Sequence, residues 1–112
     1  MFNELFSKLE IKYGDDFSWW RVPSVNEVEI LKELDIELNK NHNLYKKVKS
    51  ALAKCDAKDD VLFLLNDDSY AIIHLTWSGK KESTGVFPYF KEFSNLQNAL
   101  IYIENEYISE YL

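Results

Sequence analysis

The sequence predicts an α+β domain built from three N-terminal helices, a three-stranded antiparallel sheet and a C-terminal helix, with residues 1–112 forming one unit. Three observations lead there. Apolar residues recur every three or four positions through the first half, and the run Val61-Leu62-Phe63-Leu64-Leu65 then breaks that period and is followed by turn formers. Helical spacing returns from Leu96 to Tyr107.

Helix one places Phe2, Leu5, Phe6 and Leu9 on one face and stops at Gly14, a residue free to take a left-handed conformation. Residues 15–23 have no steady period and include Pro23, so Trp19 and Trp20 fall in a loop or irregular strand. Ser24 and Glu27 have capping-box spacing and open helix two, with Val28, Leu31, Leu34 and Leu38 as its buried stripe. Its outer face then carries Glu27, Glu29, Glu33, Asp35 and Glu37 against Lys32. Leu44, Val48, Leu52 and Cys55, interspersed with lysines, give helix three.

The run from Val61 to Leu65, the cluster Asn66-Asp67-Asp68-Ser69 and the segment from Tyr70 to Trp77 read as a β-hairpin. A solvated turn is expected over residues 78–82, then a third strand over residues 86–93, restricted to an edge or bulge by Pro88. Ser94 and Gln97 repeat the capping-box spacing before Leu96, Ala99, Leu100, Ile103 and Tyr107 form the last helical face.

Composition narrows the function. With 13 Lys+Arg against 19 Asp+Glu the net charge is −6, which disfavours nucleic acid and anionic membranes as partners and favours a basic one. Lys40, Lys46, Lys47, Lys49 and Lys54 form a basic stretch, but Tyr45 is its sole aromatic, too few for base stacking. Cys55 has no second cysteine to pair with, so neither a disulfide nor a cysteine zinc site is available. The N-terminus lacks a basic leader and no apolar run reaches a membrane-spanning length, so the cytoplasm is the expected compartment.

Motifs that carry chemistry are scarce. There is no Gly-rich phosphate loop, H-E-x-x-H pair or G-x-S-x-G turn, and the pairs Asp15-Asp16, Asp59-Asp60 and Asp67-Asp68 lack the spacing of a cation loop. Neither cofactor nor metal is expected. His42 lies in a polar connection; His74 lies in a strand whose two faces both read as partly buried, so a histidine hydrogen-bonded inside the fold is expected there, and acid–base chemistry would need a carboxylate beside the ring. Adjacent residues of an extended chain point to opposite sides, so one of Trp19 and Trp20 can fill the core while the other stays near the surface beside Arg21.

The segment Tyr70-Ala71-Ile72-Ile73-His74-Leu75-Thr76-Trp77-Ser78-Gly79-Lys80-Lys81-Glu82, preceded by Leu64-Leu65-Asn66-Asp67 and followed by Pro88, resembles small bacterial proteins with a hydrophobic-His-Leu-Thr-Trp core. These are similar to immunity proteins of polymorphic toxin systems, including those of contact-dependent inhibition. The resemblance implies a cytoplasmic inhibitor that binds a cognate toxin domain and blocks its active site or substrate access without chemistry of its own.

The expected activity is therefore noncatalytic neutralisation of a protein toxin, a basic nuclease by the charge argument. Contact is expected from Glu27, Glu29, Glu33 and Glu37 on helix two, from Glu104, with Glu106 and Glu110, on the last helix, and from an exposed ring among Trp19, Trp20 and Tyr107. Two alternatives stand beside it: a small enzyme using His74 with a nearby carboxylate, and a structural subunit of a larger assembly. Oligomeric state is left open.

Overall fold

The computed structural model describes residues 1–77 and 88–112. The predicted turn over residues 78–82 and the start of the predicted third strand lie outside them. Among the described residues the fold is α+β with three α-helices, not four, and a five-stranded sheet, not three. None of these helices is long and apolar enough to cross a membrane.

Helix α1 (Phe2–Tyr13) ends as its sequence requires. Gly14 takes φ 70° and returns its N–H to the carbonyl of Glu10, and a 3₁₀ turn (Gly14–Asp16) follows. Strand β1 (Trp19–Arg21) leads through Pro23 into α2 (Ser24–Glu37); β2 (Val48–Cys55), β3 (Asp60–Leu65), β4 (Tyr70–His74) and β5 (Phe90–Phe93) precede α3 (Leu96–Tyr111). The strands lie in sequence order and every neighbouring pair is antiparallel. Neither expected capping box forms: Pro23 precedes α2 with no side-chain cap, and Asn95, one residue past Ser94, caps α3 by accepting the N–H of Asn98 at 2.9 Å.

The predicted third helix is strand β2. Its pairing with β3 shifts register twice, between Val48 and Ser50 and between Ala51 and Ala53. Each irregularity adds a residue to β2, so Val48, Leu52 and Cys55 recur at a helix-like interval although the backbone is extended. The second shift also turns the strand over: Ala51 joins the core on one sheet face, Ala53 and Cys55 the core on the other.

The sheet is the middle of three layers. On one face α1 and α3 bury Phe6, Leu9, Leu100 and Ile103 against Trp19, Leu62 and Ile72. On the other, α2 and the connection 38–47 bury Ile30, Leu34, Leu38 and Leu44 against Val61, Phe63, Ala71 and Ile73. Strand β3 sends Leu62 into one core and Val61, Phe63 and Leu65 into the other, which explains why residues 61–65 are apolar without a break.

The expected stripe of the second helix holds at Leu34 and Leu38, which are buried, and at Leu31, which packs against them, but fails at Val28. Val28, expected in the stripe, is 70% exposed, whereas Glu33 and Glu37 are buried with Ile30 and Leu34. The reason is that its glutamates serve as acceptors for the sheet and its loops: Glu27 Oε2 takes the N–H of Ala51 at 2.8 Å, and Glu37 takes two N–H groups beyond β4.

Candidate functional site

Antiparallel register places Asp60, the first residue of β3, directly opposite His74, the last of β4, on the sheet face that carries α3. His74 Nδ1 donates to Asp60 Oδ1 at 3.0 Å, and the imidazole side chain is 48% exposed. This overturns the expectation of a buried histidine: β4 ends at His74, so the ring lies past the apolar part of the strand. Burial holds the Asp60 carboxyl above the usual carboxylate range, and the hydrogen bond from His74 partly offsets that.

Further ionisable side chains gather around this pair. Lys58 bridges Glu106 and Glu110 of α3, and the pairing raises its ammonium pKa. The Glu106 carboxylate beside the Tyr102 hydroxyl, together with partial burial, pushes the phenol up to about 12, and the same hydroxyl lowers Glu106. Lys91 on β5 sets its ammonium 5.1 Å from the centre of the Tyr102 ring. Asp60, His74, Tyr89, Lys91 and Tyr102 line an open depression of about 340 Å³ floored by Ile72. No three His, Cys, Asp or Glu side chains among the described residues are grouped to hold a metal ion.

Beyond β4, Trp77 adopts φ 56°, a backbone region that bulky residues rarely occupy, and its side chain is exposed. Glu37, with no exposure of its own, accepts the N–H of Thr76 at Oε1 and of Trp77 at Oε2, both at 2.9 Å. His74-Leu75-Thr76-Trp77 thus has four different environments: a solvent-facing imidazole, a buried leucine, a tethered backbone and an exposed indole.

The expected contact residues are dispersed by the fold. Trp19 is in the core; Trp20 is half-buried, with a buried indole N–H that has no hydrogen-bond partner among the described residues. Tyr107 is buried against Tyr13 and Phe17. Glu33 and Glu37 are turned inward and Glu27 is bound to the sheet, leaving Glu29 alone of these four in open solvent. Glu104 is held between helices by Lys12 at 2.8 Å and by the Tyr13 hydroxyl, which lower its pKa. His42 is buried, accepting the Leu44 N–H at Nδ1 and donating from Nε2 to the Pro88 carbonyl, each at 3.0 Å, and no hydrogen bond joins it to His74.

Sequence reasoning missed Asp60, Trp77, Tyr89 and Tyr102. The signal for Asp60 was present, because pairing counted outward from the turn after Leu65 sets Asp60 opposite His74. Nothing in the sequence marked Glu37 as the anchor of Trp77.

Compared with known proteins, the chain matches no family model, no curated protein and no solved structure.

Proposed function

We propose that the chain is a noncatalytic cytoplasmic inhibitor that binds and neutralises a basic toxin domain, with Trp77 as its principal anchor. The observation that supports this most is the tether of Trp77 by Glu37. A buried Glu37 side chain satisfies two backbone donors and holds the backbone of Trp77 in a left-handed conformation, so the point from which the exposed indole projects is fixed before docking. The net charge of −6 favours a cationic partner and speeds its approach.

The test is to co-express the chain with basic domains encoded by the adjoining reading frames, score protection from any that prove toxic, and measure the affinity of the purified pair; failure to protect against or bind each of them would remove the reading. Trp77→Ala should weaken binding by about 30-fold or more, the scale of an aromatic hot spot of about 2 kcal/mol, while leaving the fold intact by circular dichroism. Equal affinity of that variant would remove Trp77 as anchor. Turnover of a small compound by the purified chain, lost in His74→Ala, would replace the binding reading with the enzymatic one.

A further inference from the structure

We infer that the depression beside His74 receives an arginine side chain of the partner protein, its guanidinium lying against the Tyr89 ring and pairing with Oδ2 of Asp60. This deepens the binding reading above and rests on the partner being a basic protein.

Three features carry the inference. First, Asp60 is half committed: Oδ1 accepts from His74, whereas Oδ2 has no partner among the described residues. The neighbouring acids Glu106 and Glu110 are already matched by Lys58, so Asp60 is the carboxylate with acceptor capacity to spare at the depression. Second, the walls are aromatic. Tyr89 is 59% exposed, and Lys91 shows that a ring face here takes a cation, since its ammonium already lies over Tyr102. Third, burial disfavours the charged form of Asp60, and an incoming cation relieves that penalty while an incoming phosphate adds to it.

Arginine fits better than lysine. Its planar guanidinium can stack on a ring while donating to a carboxylate oxygen in the same plane, whereas an ammonium is a strongly hydrated point charge. An open depression of about 340 Å³ with an apolar floor also accommodates the aliphatic stem.

The experiment needs no partner. The intact chain is titrated with N-acetyl-arginine amide, the matching lysine amide and inorganic phosphate while the ring signals of His74, Tyr89 and Tyr102 are followed by NMR. The arginine probe should shift them saturably, at about millimolar affinity, with the lysine probe several-fold weaker. Asp60→Asn should lower the arginine affinity about tenfold, and Tyr89→Ala, checked for an unchanged circular dichroism spectrum and melting midpoint, should lower it several-fold. Saturable shifts from phosphate, arginine binding unchanged in both variants, or no response to arginine would each overturn the assignment. Because the readout is independent of the toxin and of Trp77, its failure is distinguishable from failure of the binding reading.

Discussion

Glu37 holds Trp77 by its backbone, reaching from the last turn of α2 on one side of the sheet to the segment that leaves β4. The bond is charged, buried and doubled by the neighbouring N–H of Thr76. Replacing Glu37 with Gln retains the shape but puts an amide N–H₂ against a backbone donor. We expect a loss of about 1–3 kcal/mol in urea unfolding and greater mobility of the Trp77 indole by fluorescence anisotropy. An unchanged midpoint together with unchanged anisotropy would refute the tether.

Arg21 joins β1 to α1 through its whole guanidinium. Nε donates to Glu10 at 3.1 Å, one terminal nitrogen to Asn3 Oδ1 at 2.6 Å, and the other to the Asn3 carbonyl at 2.9 Å and Ser7 Oγ at 2.7 Å. Its carbon also lies over the rings of Phe2 and Phe6. Arg21→Lys keeps the charge and discards this geometry, so it should cost about 1–2 kcal/mol, measured as a lower denaturation midpoint at constant slope.

The orientation of α2 separates two neighbouring apolar residues. Val28→Lys should change stability by less than about 0.5 kcal/mol, because the site is in solvent, whereas Ile30→Ala should cost about 2–5 kcal/mol. The stripe expected from the sequence reverses that order, so paired thermal melts of the two variants distinguish them.

Alkaline titration reports on Tyr102. Its folded pKa of about 12 exceeds the ordinary value of 10.0, so the folded chain keeps the proton after the unfolded chain has lost it. The stability that this group contributes is fully present below 10.0 and declines as pH rises to about 12. Tyr102→Phe should flatten that decline and remove the highest phenolate step from the ultraviolet titration curve. Glu104 and Glu106 act oppositely: their pKa values are lowered in the fold, so their contribution is present above the ordinary 4.5 and fades as pH falls through the folded values.

Helices whose apolar side alone is buried were readable: Phe6 and Leu9 in α1, and Ala99, Leu100 and Ile103 in α3, lie where their spacing puts them. The β3–β4 hairpin was readable as well, because a continuous apolar run and a turn cluster are local signals. Strand β2 was not, since two register shifts imitate a helical interval. Glutamates misled for α2 because a carboxylate that accepts a backbone N–H looks the same in sequence as one facing water. The contact surface was the least readable part: the indole of Trp77 is exposed through a tether from a residue forty positions away, a relation that no short pattern encodes.

Strand β3 is a party wall, with Leu62 lodged among the residues of one hydrophobic layer and Phe63 among those of the other. Stripping either helical cover would wet a strand that the remaining half still requires. The two halves should therefore melt together, in one sharp thermal transition whose calorimetric and van't Hoff enthalpies agree.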